Sequence, residues 1–101
     1  MLNQLVLVGR LTSDIELITN EDGTKQATIT LAIPRSYKNE NGEYETDFIT
    51  CNLYYGIAEN TASYCKKGDL IGIKGKLKTI DEKLTIMVEK ITFLSTKKVE
   101  E

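Results

Sequence analysis

Residues 47–77 read DFITCNLYYGIAENTASYCKKGDLIGIKGKL, and the period of the apolar positions changes twice along them. In FITCNLYY, Ile49, Cys51 and Leu53 share one parity while Phe48, Thr50, Asn52 and Tyr54 share the other, the pattern of a strand with one buried face. IAENTASYC breaks that rhythm: Ile57, Thr61, Tyr64 and Cys65 fall on one side at helical spacing, and Gly68 after Lys66-Lys67 is a stop signal. LIGIKGKL then returns to alternation, with Ile71, Ile73, Gly75 and Leu77 on the inward parity. A strand, one short helix and a second strand follow one another here.

Working outward, residues 2–17 contain LVLVGRL and read as a long, curved first strand, with Gly9 permitting a bend or bulge in its middle. Asp22-Gly23 is a hairpin signal leading into ATITLAI, where Ile29, Leu31 and Ile33 alternate with Thr28, Thr30 and Ala32. Asn41-Gly42 in KNENGEYE marks a second hairpin, so the first three strands read as a meander. Beyond residue 77, a tight turn near Asp81-Glu82 separates the fourth strand from LTIMV and ITFL, which supply the fifth. The expected fold is all-β: a five-stranded OB-fold barrel with one short helix between strands three and four, closed so that few edges stay unpaired. Another small barrel or a sandwich uses similar elements. The folded unit is expected over residues 1–95, with 96–101 a frayed C-terminal tail because the apolar pattern ends there.

The whole chain has 101 residues, of which 41% are hydrophobic and 28% charged, the balance of one globular domain rather than a disordered or collagen-like chain. A formal net charge of −2 argues against indiscriminate attraction to polyanions, so any such site must be a local patch. The absence of His removes the commonest proton shuttle and the commonest zinc ligand together, and no metal or other cofactor is expected. Cys51 lacks a His to activate it, the Asp14/Glu16 and Asp81/Glu82 pairs come without a pocket signal, and GIKG is too short to cradle a phosphate. An enzyme is therefore not expected. With two cysteines far from a CxxC spacing, both read as buried, reduced thiols. MLNQLVLVGRL has no basic leader, and no apolar run reaches a membrane span, so the expected location is cytoplasmic with no membrane partner.

The polar parity of the third strand holds Phe48 and Tyr54 six residues apart with short polar residues between, which suits flat rings stacking over a wet surface. A barrel end or a subunit contact would also account for two such rings. Tyr37, flanked by Arg35 and Lys38 near the second hairpin, places a ring beside two cations; Tyr44 and Tyr55 are weaker candidates, Tyr55 by core-facing parity, and Tyr64 reads as helix core. Lys74, Lys76 and Lys78 share the outward face of the fourth strand about 6 to 7 Å apart, close to the phosphate spacing of an extended polynucleotide. A merely solvated strand face would look the same. Residues 1–60 hold four basic and nine acidic groups and residues 61–101 nine basic and six acidic, so positive potential comes mainly from the second half.

The opening N-x-x-x-L-V-G-R-L-T-x-D, the D-F-I-x-C strand, and A-E-N-x-A-x-Y-x-K-K-G with its following G-x-L, taken together, resemble the bacterial and phage single-stranded DNA-binding protein family over nearly the whole chain. The resemblance implies an OB fold assembled as a homotetramer (a dimer of dimers), with no catalysis. It implies non-sequence-specific binding and protection of single-stranded DNA in DNA replication, recombination and repair. Carried over by position, the family's stacking aromatics fall on Tyr37, Phe48 and Tyr54, and its basic contacts fall near Arg10, Arg35, Lys67 and Lys78. Lys38 adds to the Tyr37 cluster, while Lys74 and Lys76 are placed either on the DNA or at a dimer–dimer contact. Three departures stand out. The hairpin KTIDEKLT is shorter than the family's usual loop, so weaker binding or a smaller site is expected; the sequence ends at KKVEE with no recognisable partner-recruiting tip; and Tyr stands at 54 where Trp or Phe is more common. The rival expectation is an OB-fold protein-interaction or assembly module with weak or lost DNA binding.

Overall fold

The computed structural model describes residues 1–95. Its elements are β1 (Leu5–Leu11), a two-residue β2 (Ile18–Thr19), β3 (Lys25–Lys38), β4 (Tyr44–Tyr54), α1 (Tyr55–Tyr64), β5 (Leu70–Ile80) and β6 (Lys83–Ser95). The antiparallel pairings β1–β5, β5–β6, β3–β4 and β1–β3, together with a parallel contact between β4 and β6, form a closed circuit of five strands. This is the OB-type barrel expected, with the single helix between its third and fourth long strands. The tail expected over residues 96–101 lies outside the described residues.

Closure depends on β1 serving two neighbours. Residues Leu5 to Arg10 pair with β5, and Arg10 and Leu11 pair with Ala32 and Leu31 of β3. The change of partner occurs at Gly9, where a Cβ would stand 2.7 Å from Ile33 Cγ1 and 2.8 Å from the Ala32 carbonyl oxygen. Only a residue without a side chain lets the two strands approach this closely. The first strand is accordingly shorter than expected: it ends at Leu11, and Thr12 leaves the ladder by donating both its N–H and its hydroxyl to the Thr30 carbonyl, at 3.1 and 3.0 Å.

The alternating apolar positions fill the interior. Ala27, Ile29 and Leu31 of β3, Cys51 and Leu53 of β4, Ile71 and Ile73 of β5 and Val88 of β6 are all buried, and Ala58 and Cys65 close one end. Both thiols are free and buried, as expected.

Three side chains depart from their expected places. Tyr64, read as helix core, is exposed with its ring 6.1 Å from that of Phe93, because α1 turns Ala58 and Thr61 inward and stops at Tyr64 so that Cys65 can enter the core. Leu77, read as inward, is 41% exposed, because the last rung between β1 and β5 is Leu5↔Gly75 and the β5–β6 hairpin runs on past the end of β1. Asn3 compensates there, donating from Nδ2 to the Leu77 carbonyl at 2.8 Å and accepting the Leu77 N–H at 2.9 Å. Tyr55 continues β4's parity toward the core in sequence but stands 64% exposed, since the strand ends at Tyr54 and Tyr55 takes φ +58°.

Candidate nucleic-acid interface

The outer face of β3 and β4 is built by period two on both strands. Along β4 it presents Phe48, Thr50, Asn52 and Tyr54, and across the ladder these lie opposite Ala32, Thr30, Thr28 and Gln26. Phe48 is 66% exposed, a large apolar surface left in water beside short polar neighbours. Thr28 donates to Asn52 Oδ1 at 3.1 Å and the Thr30 and Thr50 hydroxyls meet at 3.3 Å, so the floor between the rings is polar and self-satisfied. Six residues of strand separate Phe48 from Tyr54, or about 20 Å. Two rings that far apart with low polar side chains between them form a track, not a pocket.

Cations reach this track from both sides through the barrel's rungs. Arg10 pairs with Ala32, which pairs with Phe48, so Arg10 and Phe48 stand in one row about 10 Å apart on the same face. The Arg10 guanidinium donates to the Gly68 carbonyl at 2.9 Å, which draws in the loop carrying Lys67. Lys67 is exposed, and its backbone N–H is held at 2.8 Å by the Asp14 carboxylate. On the other side, Met87 of β6 is registered with both Asn52 and Lys76, so Lys76 extends the Asn52 row across the seam. Lys76 lies 3.7 Å from the Glu89 carboxylate. Lys78 is the next outward side chain along β5, opposite Thr85. The three lysines of the sequence pattern are thus divided: Lys74 lies between Val6 of β1 and Lys90 of β6, whereas Lys76 and Lys78 lie beyond the last β1–β5 rung at Gly75.

Tyr37 and Lys38 sit on the arm of the β3–β4 hairpin beyond Phe48. The register slips between Pro34 and Lys38, leaving Tyr37 in a bulge and 63% exposed. Lys38 Nζ lies 5.8 Å from the centre of the Tyr44 ring, its cross-strand partner, so this cation is directed at Tyr44. Tyr44 shares the parity of Phe48 and Tyr54 and is 60% exposed. It makes a further ring of the outer face, one that strand parity alone would find. Arg35 is engaged by carboxylates: Nε and Nη2 donate to Asp47 at 3.1 and 2.9 Å, and Nη1 donates to Glu45 at 2.6 Å. The paired guanidinium holds the Asp47 carboxyl below its ordinary value, and those bonds to Asp47 raise Arg35 in turn. Among the ten cations and rings singled out in the sequence, only Arg35 is closed off by two acidic partners.

The thiols are inert by placement. Cys51 is fully buried under this face, and burial pushes its pKa up to about 11; burial and the nearby Asp69 charge raise Cys65 as well. No helix among the described residues is long and apolar enough to cross a membrane.

The model of the single-strand binding protein family matches residues 2–94. Over 79 residues, 78% of this chain, the sequence is 49% identical to single-stranded DNA-binding protein B of Bacillus subtilis, covering 70% of that protein. Over the same length it is 51% identical to single-stranded DNA-binding protein A of that organism, covering 46% of it, and 49% identical to single-stranded DNA-binding protein 2 of Streptococcus pyogenes, covering 48%. The chain's match thus spans about half the length of the latter two. A family match along nearly all of the described barrel, on the strands that carry the exposed rings, places this chain in the single-strand binding protein family.

Proposed function

We propose that the protein binds single-stranded DNA without regard to sequence and protects it during DNA replication, recombination and repair. Bases stack on Phe48, Tyr54 and Tyr37, and phosphates are met by Arg10, Lys67, Lys76 and Lys78 along the track and by Lys38 on the hairpin arm. Arg35 joins them when phosphate displaces its carboxylates, while Lys74, opposite Val6 on the β1–β5 flank, goes to the contact between copies. The observation that carries this reading is Phe48: an aromatic ring two-thirds exposed on a polar strand face, in one row with Arg10. Every base offers a flat face, so rings of this kind hold a polynucleotide whatever its letters. The reading is one of binding and not of catalysis, which accords with two thiols buried out of reach.

A homo-oligomer, in full a homotetramer of the dimer-of-dimers type, accords with the opposite flank. Among the described residues, β1 pairs on one edge only from Leu5 to Gly9, and Val6, Val8 and Leu94 are 68%, 47% and 48% exposed around a cleft they share with Gly72. An unpaired edge beside an apolar face is suited to a two-fold contact with a second copy. A cytoplasmic location is proposed on the same grounds as the DNA-binding role.

Titration of the protein's tyrosine fluorescence with oligo(dT) tests the reading. Tight binding that weakens with salt is expected, and Tyr37→Ala with Tyr54→Ala should weaken it while leaving the fold intact. Binding no better than micromolar at low salt overturns it.

A further inference from the structure

Tyr55 has a geometry that packing does not explain. Strand parity would send it inward, yet the ring is 64% exposed, and the backbone reaches this position only through φ +58°. That region carries a steric cost for a residue with a Cβ and is most unusual for a bulky one. Its ring contact is with Tyr54, with centroids 6.2 Å apart and planes 44° from each other. Ala58 and Thr61 of the same helix and Leu53 are buried, and the Tyr55 ring belongs neither to the core cluster nor to the hydrophobics packed against it. A strained backbone, an exposed aromatic and direct continuity with the last ring of the track coincide at one residue.

We infer that Tyr55 is a further base-binding residue, which with Tyr54 forms a tilted aromatic pair that takes the base next to the one on Tyr54. The inference rests on the DNA-binding reading above and extends it by one base at the Tyr54 end. Two rings tilted at 44° do not sandwich one base. Each offers a separate face, and consecutive bases of an unpaired strand can turn to meet both. The occupant is a nucleobase rather than an apolar peptide, because Gln26 faces Tyr54 across the ladder and polar Asn52 flanks it along the strand.

The experiment compares wild type, Tyr55→Gly, Tyr55→Leu and Tyr55→Phe by oligo(dT) titration and thermal melting. Tyr55→Gly relieves the left-handed backbone, so its melting temperature should rise while its affinity falls about fivefold or more, the low end of a single stacking interaction. Tyr55→Leu keeps the backbone cost and loses only the flat ring, so it should lose the same affinity without the gain in stability. Tyr55→Phe keeps the ring and should bind as wild type. If wild type binds and the Gly and Leu variants bind equally well, this inference fails while the DNA-binding reading stands. If wild type itself does not bind, the broader reading fails first. A Tyr55→Gly protein that melts lower would show that the ring serves the fold, and the Leu variant would still read out its part in binding.

Discussion

Replacing Gly9 by Ala tests the geometry that closes the barrel. The added methyl would stand 2.7 Å from Ile33 Cγ1 and 2.8 Å from the Ala32 carbonyl, against an optimum of about 3.5 to 4.0 Å between carbon atoms. β1 or β3 must therefore retreat by roughly 1 Å, and neither obstacle is the free end of a flexible side chain. Overpacking of this kind costs about 1 to 3 kcal/mol, which in a domain of this size lowers the melting temperature by about 4 to 8 °C per kcal/mol. Gly72, also buried, is the internal control: a Cβ there meets Leu94, Val8 and the Leu7 carbonyl at 3.5, 3.7 and 3.8 Å, ordinary contact distances. Gly72→Ala should be neutral or stabilising by about 0.4 to 1 kcal/mol through the unfolded chain. The assay is urea and thermal denaturation of both variants side by side, with oligo(dT) titration of each. Because the strain falls beside Arg10, Gly9→Ala should also weaken binding by displacing that guanidinium from the Phe48 row. Equal melting temperatures for the two variants would refute the close-approach argument.

Three further outcomes follow from particular contacts. Asp47→Asn combined with Glu45→Gln releases the Arg35 guanidinium and removes two negative charges; binding should tighten, and the slope of log K against log salt should steepen by about 0.7 for each phosphate gained. An unchanged slope would place Arg35 out of reach of the DNA backbone. The β5–β6 turn holds Asp81 at φ +53° and Glu82 at φ +65°, so Glu82→Gly, which creates an Asp-Gly turn, should raise stability by about 0.5 to 1 kcal/mol in urea titration; a fall in the midpoint would contradict it. The Cys51 pKa, raised to about 11 by burial, lies above that of an unfolded thiol. Its contribution is therefore complete at pH 8 and is lost as pH rises toward 11, because the unfolded chain ionises first. Melting temperature should drop more steeply over that range in wild type than in Cys51→Ala, and parallel curves would count against it.

The parts of the molecule that sequence makes legible are those with local period. Alternation along FITCNLYY assigned Cys51 and Leu53 to the interior and Phe48 to water correctly, because each side chain's face follows from its neighbours two residues away. Tyr55 and Tyr64 were misplaced at element ends, where the period no longer applies: one residue past β4 the chain turns left-handed, and one residue before Cys65 the helix stops. The fate of Leu77 depended on how far β1 accompanies β5, a property of another strand. The cation sites divide in the same way. Lys74, Lys76 and Lys78 form one series in sequence, yet Lys74 is flanked by β1 at Val6 while Lys76 joins the Asn52 row through Met87, beyond the end of β1. The carboxylate grip on Arg35 rests on cross-strand register: Ile33 opposite Asp47 and Pro34 opposite Thr46 bring Glu45 and Asp47 alongside Arg35, a relation that PRSYKN does not carry by itself.

The parallel contact between β4 and β6 is registered at a single pair, Asn52 and Met87, whereas β5 and β6 zip along eleven pairs. Amide protons along that seam should exchange with solvent sooner than those of the long hairpins, since little hydrogen bonding holds it shut. On the proposed binding path, a polynucleotide running from Asn52 to Lys76 would lie directly across this gap and act as a suture. Occupancy would then slow the breathing of the barrel itself, so that coating a strand and hardening the coat become the same event.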